Sequence, residues 1–263
     1  MRALRAYPTL LRVGFAGAVA YRAEMLVWML SMTMPLVSLA LWSAVAATAP
    51  IGRFTQKDFV AYFLATVVVR QLSGSWVVWE LIQEIKSGTL ASRLLKPIHP
   101  LLAYSAENLA AIPLRVLFAL PVALVGLAKG GAHLPDTPAL VAAFMLALVG
   151  AWIITYFVMA IIGTLSFFME SSASIFEMWL ACFMLLSGYL LPLELFPSWI
   201  RQITDLLPFR YMLGFPVEVL IGMSTSEQIV RGLVIQWSYC VISCVGALVI
   251  WRAGVRRFSA FGG

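Results

Sequence analysis

The stretch Ala139–Phe168, ALVAAFMLALVGAWIITYFVMAIIGTLSFF, is the longest apolar run in the chain and decides the fold, because it carries no charged residue. A helix rises about 1.5 Å per residue, so such a run exceeds the roughly 30 Å hydrocarbon thickness of a bilayer. The rest of the chain agrees. Of its 263 residues 62% are hydrophobic and 11% charged, against about 25% charged in a soluble domain. A buried core needs apolar residues on one face only, so an excess this large requires an apolar surface, which only lipid tolerates. The composition predicts an all-α, polytopic membrane protein.

Outward from 139–168, where Gly150 and Gly163 allow close packing or a bend, five further spans are predicted at 25–47, 59–82, 101–128, 175–193 and 229–251. Span one has Trp28 and Trp42 near its ends, the usual position of interfacial aromatics. A cleaved signal peptide ending near Ala44-Val45-Ala46 is the competing reading, but the basic region and the apolar run are both too long for one. Residues 1–24, broken by Pro8, set Arg2, Arg5, Arg12 and Arg22 among Leu4, Leu11 and Phe15 at helical spacing, which predicts an amphipathic helix on the membrane surface. Between spans five and six, 195–222 contains Pro197, Pro208 and Pro216, with Trp199, Ile200, Ile203, Leu206 and Leu207 at helical spacing. It is too interrupted for one crossing and reads as two short re-entrant helices in the outer leaflet.

Six spans place both termini on one side. That side holds Arg2, Arg5, Arg12, Arg22, Lys86, Arg93, Lys96, Arg252, Arg256 and Arg257, and the other holds Arg53, Lys57, Lys129, Arg201, Arg210 and Arg231. The positive-inside tendency therefore makes both termini cytoplasmic. The net charge of +6 belongs to the same asymmetry and to anionic lipid. No basic stripe with interleaved aromatics suggests nucleic acid. Cys182, Cys240 and Cys244 lie in apolar stretches and read as packing residues, and no metal-ligand set is visible.

The connection 83–100 is the strongest candidate for a working surface. Glu84 and Lys86 end a membrane helix, Gly88 allows a turn, and Leu90, Leu94 and Leu95 form an apolar edge beside Arg93 and Lys96. Spacing alone fits equally a short helix docked into a partner's groove and a connector lying flat on the membrane.

The segment EIKSGTLASRLLKPIHPL resembles the coupling-helix region of ABC-2-type exporter permeases, the membrane subunits of ATP-binding-cassette transporters. The later stretch LLSGYLLPLELFPSWIRQITDLLPFRYMLGFPVEVLIG, with its Pro208-Phe209 pair, is similar to that family's segment after span five. The resemblance covers nearly the whole chain and describes architecture, not cargo. It implies a permease that pairs with itself or a second permease on two cytoplasmic ATPase subunits, which use ATP and Mg. This chain has no ATPase of its own, since Lys57, Lys86, Lys96 and Lys129 precede Asp, Ser, Pro and Gly and none completes a phosphate-cradling G-x-x-x-x-G-K-[ST] loop. The resemblance implies a non-catalytic membrane subunit that binds no cofactor itself. Residues Glu84, Lys86, Gly88, Leu90, Arg93, Leu94 and Lys96 would then couple the ATPase to spans two and three. The implied location is a bacterial inner membrane, with export of a drug, lipid, glycan or peptide.

Arg70 and Arg115 lie within spans, where an unpaired guanidinium costs about 2.5–3.5 kcal/mol on insertion scales. Glu107 lies two turns from Arg115 and shares its face, and Arg70 is a possible neighbour. Two readings remain open: a polar translocation pathway made of Arg70, Glu107 and Arg115, or structural pairing and snorkelling. Ser172 or Ser174 is the expected cap of span five, with Glu177, three residues after Ser174, completing a capping box. Glu194 and Glu218 read as exit-lining residues or solvated charges. His99 and His133 fall in loops on opposite faces, which leaves an intramembrane hydrolase without a catalytic constellation. An ATP-independent channel or a structural assembly subunit stands as the alternative function.

Overall fold

The computed structural model describes residues 2–22, 27, 34–129, 136–170 and 172–258. The first part of expected span one with Trp28, together with His133, Ser171 and the side chains of Arg2, Arg5 and Lys129, lies outside the described residues. In chain order the helices are α1 (Arg2–Ala20), α2 (Met34–Ala46), α3 (Gln56–Ser73), α4 (Val77–Ser87), α5 (Leu90–Leu94), α6 (Pro100–Ala110), α7 (Ile112–Lys129), α8 (Pro138–Thr164), α9 (Ser172–Leu186), α10 (Ser198–Leu206), α11 (Pro208–Met212), α12 (Gly214–Leu220) and α13 (Ser226–Val255). Among the described residues the only extended pairing is an isolated bridge between Ile51 and Phe54.

Four stretches of these residues are long and apolar enough to cross a membrane: Gln56–Ser87, Pro100–Gly126, Pro138–Phe167 and Ser226–Val255. Shorter apolar helices, Met34–Ala46 and Ser172–Leu186, stand where spans one and five are expected. The long helices start on side-chain caps. Thr55 and Asp58 form a capping box on α3, Thr225 and Gln228 form one on α13, and the Thr137 hydroxyl accepts from the Leu140 N–H on α8.

Helix α8 is the axis of the bundle and packs against α3, α4, α9, α11, α12 and α13. Its glycines act as notches. A Cβ on Gly150 would come within 2.7 Å of the Gln236 side chain, and one on Gly163 within 2.8 Å of Leu81 Cβ. The space left at Gly150 seats the buried Gln236, whose Nε2 donates to the carbonyls of Ala147 and Tyr211, both at 2.8 Å. One apolar cluster gathers around Phe59, Tyr62, Phe63 and Met212, and a second around Leu81, Leu90, Tyr104, Tyr156 and Trp251.

Several expected boundaries change. Span two, expected unbroken over 59–82, is two helices parted at Gly74-Ser75-Trp76, and its second half runs on to Ser87. Span five ends at Leu186, not Leu193, because the chain turns at Gly188 with φ +86° and cannot continue a helix there. Tyr62 Oη fixes the turn by donating to the Gly188 carbonyl at 2.8 Å. The segment 195–222 forms three short helices, not two, since Pro208 starts α11 and a further turn at Leu213 separates α12.

Helix α1 runs unbroken through Pro8. Its packing along α6 offsets the hydrogen bond that Pro8 removes: Gly14 lies close to Ala110 and Glu107, and Tyr7 Oη meets Ser105 Oγ at 3.0 Å. The capping box expected from Ser174 and Glu177 does not form. Helix α9 already begins at Ser172, which places Ser174 inside its first turn, and the Ser172 hydroxyl meets that of Ser166 at 2.6 Å.

Candidate functional site

The segment 83–100 is built from the end of α4. Val77, Val78, Leu81, Ile82 and Ile85 are buried in the core, so Glu84 lies on another face of the same helix. Gly88 stops α4 in a left-handed conformation, φ +74°, with its N–H donating to the Ile85 carbonyl. The chain reverses into α5, pinned by the fully buried Leu90.

Arg93 on α5 then reaches both neighbouring helices. Its Nε donates to both oxygens of Glu84 at 2.9 Å, while Nη1 and Nη2 donate to the two oxygens of Glu107 on α6 at 2.8 and 3.2 Å. The guanidinium stacks over Tyr104, 4.2 Å from the ring centroid, and the Tyr104 hydroxyl donates to Glu84 at 2.6 Å. One planar fork thus ties the end of span two to the start of span three, a geometry lysine cannot reproduce. Burial alone would lower the Arg93 pKa. The hydrogen bonds and charge of Glu107, with Tyr104 and Glu84 adding to them, outweigh burial and hold it above the ordinary arginine value.

The outer side of the segment is different. Leu95 is 88% exposed, beside exposed Lys96 and Pro97. The expected single edge of Leu90, Leu94 and Leu95 is therefore divided: Leu90 is buried, Leu94 half-buried, and Leu95 faces away because α5 ends before it. Lys86 is exposed and makes no ion pair among the described residues.

Of Arg70, Glu107 and Arg115, the two arginines meet at Gly74 and Glu107 stands apart. Glu107 is held by Arg93, and a turn at Ala111 separates it from the helix that carries Arg115. Arg115, 3% exposed, donates from Nη1 to the Gly74 carbonyl at 2.6 Å. That carbonyl belongs to the break in span two, and a backbone acceptor inside a membrane must find a donor. Arg115 supplies it. Arg70, half-buried, lies at the same break, with Nη1 beside Gly74, the guanidinium 5.2 Å from the Phe183 ring centroid and its charge felt by Arg115. At the opposite end of the bundle Glu194 pairs with Arg53, and Glu218 accepts from Arg210 Nη2 at 2.7 Å, so the two acids read as exit-lining residues or solvated charges are both held by arginines. Arg210 also pairs with Asp205.

Some of these partners were not visible from sequence reasoning. Tyr104 lies one turn before Glu107, and Glu80 one turn before Glu84, so helical spacing carried a signal for both. Glu80 has a buried oxygen without a hydrogen-bond partner among the described residues and feels the charges of Glu107, Arg93, Glu84 and Arg115. Gln236 carried none, because its partners are carbonyls 25 and 89 positions away. His99 accepts from the Leu101 N–H at Nδ1 and packs beside Trp251. Cys182, Cys240 and Cys244 are free thiols, and no group of metal-binding side chains forms among the described residues.

A family model described as ABC-2 family transporter protein matches residues 26–262. No curated protein matches the chain.

Proposed function

The chain belongs to the ABC-2 family of transporter proteins, and from that premise we propose that it is the permease of an ATP-driven exporter whose segment 84–96 receives the stroke of a partner ATPase. The observation that carries this reading is the two-sided construction of that segment. Arg93 bolts α5 to spans two and three, and the residue just past its end, Leu95, is turned out to solvent. A push on Leu95, Lys96 or Lys86 moves Glu84 and Glu107 together, and with them the helices on either side of the Gly74 break.

In this reading the chain crosses a bacterial inner membrane six times with both termini in the cytoplasm. It pairs with a second permease on two ATPase subunits, which bind the ATP and Mg, and itself supplies no cofactor chemistry. The exported cargo is hydrophobic or amphipathic. Among Arg70, Glu107 and Arg115, Arg70 keeps surface for that cargo, since the other two guanidinium or carboxylate groups are committed to Gly74 and Arg93.

The test is coexpression with an ABC ATPase of the same organism, followed by copurification and ATP hydrolysis by the complex. Leu95→Asp is expected to reduce copurified ATPase at least tenfold while the permease remains monodisperse. Undiminished copurification overturns the assignment of 84–96, and cargo flux that continues without ATP favours the channel reading.

A further inference from the structure

Three of the four long apolar stretches, Gln56–Ser87, Pro138–Phe167 and Ser226–Val255, end around one cleft of about 600 Å³. Lys86, Glu170 and Arg257 line it together with Phe167, Phe168 and Phe258. Where three such helices stop, hydrocarbon gives way to phosphates. The cleft has the two-part chemistry of that boundary, with aromatic walls and a charged mouth.

The walls are built in place. Phe167 packs edge-on against Trp251 and Phe258, at centroid distances of 6.0 and 5.7 Å, and occupies the space over Gly254 that any Cβ would fill. Arg257 lies 5.1 Å from the Phe168 centroid, so the ring orders the guanidinium and leaves its N–H edges open. Neither Arg257 nor Lys86 makes an ion pair among the described residues, and neither does Glu170.

We propose that this cleft holds one phospholipid of the leaflet on the α5 side. Its phosphate lies between Lys86 and Arg257, its amine faces Glu170, and its first methylenes lie along Phe167 and Phe168. Two cations and one carboxylate complement a zwitterionic aminophospholipid headgroup, as in phosphatidylethanolamine. They fit an anionic headgroup lacking an amine less well, because Glu170 would then face no cation. Lys86 is shared with the segment proposed to receive the ATPase, but lipid binding is read on the chain alone, without ATPase or cargo, so failure of either proposal is told apart from failure of the other.

The test is native mass spectrometry of the delipidated full chain titrated with phosphatidylethanolamine, phosphatidylglycerol or phosphatidylcholine of identical acyl chains. One tightly retained phosphatidylethanolamine is expected, with affinity falling about fivefold for Arg257→Ala and roughly 30-fold for K86A/R257A. Glu170→Gln is expected to erase the preference over phosphatidylglycerol without loss of phospholipid binding. Arg12→Ala, an exposed cation on α1, controls for general charge loss, and Arg257→Lys is expected to recover binding should the alanine variants fold poorly. Equal adducts for all three lipids, or variants indistinguishable from the parent, overturn the proposal. So does inorganic phosphate competing as well as lipid does, or variants that lose copurified ATPase while keeping the lipid, which makes the cleft a protein dock.

Discussion

Replacing Arg93 by Met removes four N–H···O contacts and the stack on Tyr104, while leaving two carboxylates facing each other. Each charge pair is worth at most about 4 kcal/mol at an effective dielectric near 20, and desolvation takes back a large part. Arg93 and Glu84 retain one fifth of their side-chain exposure and Glu107 about a third, so solvent screening lowers the Glu107 share further. The net local loss is roughly 2–4 kcal/mol, a figure that includes repulsion between Glu84 and Glu107.

Hydrogen exchange of the amides in 88–95 reads this opening energy directly, and it predicts about 30- to 1,000-fold faster exchange in R93M. Glu84→Gln and Glu107→Gln, which each leave one charged pair intact, are expected to give about five- to tenfold. The triple variant E84Q/R93M/E107Q is expected to exchange more slowly than R93M, since the unpaired charges are gone. A change under about threefold in R93M, or a triple variant as fast as R93M, refutes the clamp.

Arg115→Leu strands the Gly74 carbonyl at the break and is expected to cost about 1–3 kcal/mol, read as a lowered melting temperature in detergent, with Arg115→Lys between the two. Gly150→Ala drives a methyl into Gln236 and breaks its two carbonyl contacts; the melting temperature is expected to drop, with partial recovery in G150A/Q236A. Gly88→Ala meets no neighbouring atom, so its cost is only the left-handed backbone, about 1–2 kcal/mol, and should appear as faster exchange confined to 84–95. Burial, then the charge of Arg252, lowers the His99 pKa below its ordinary 6.5, so the folded protein favours the neutral ring that accepts from Leu101. Its contribution is complete above pH 6.5 and is lost as pH falls toward the lowered value. His99→Ala should therefore flatten the stability profile below about pH 6.5.

The long helices were legible because lipid imposes a length and an apolar composition that α8 and α13 meet within a few residues. What the sequence could not show is where one helix becomes two. Gly74 interrupts span two because a donor 41 positions away, on Arg115, satisfies its carbonyl, and no local pattern around Gly74 reports that. Arg93 and Gly88 were visible as parts of a turn and a short helix. The pairing of Arg93 with Glu107 was not, since helical spacing pointed Glu107 toward Arg115 and only the turn at Ala111 with the return of α5 redirects it. Leu95 was misplaced for a related reason: periodicity carries on past Leu94, but the helix does not.

Photo-crosslinking from position 95 tests the account most directly. A crosslinking residue replacing Leu95 in the assembled complex is expected to capture the ATPase subunit, while one replacing Trp199, exposed on α10 at the far end of the bundle, captures none. Capture from 199 and not from 95, or labelling of 95 by a reagent confined to the outside of the cell, contradicts it.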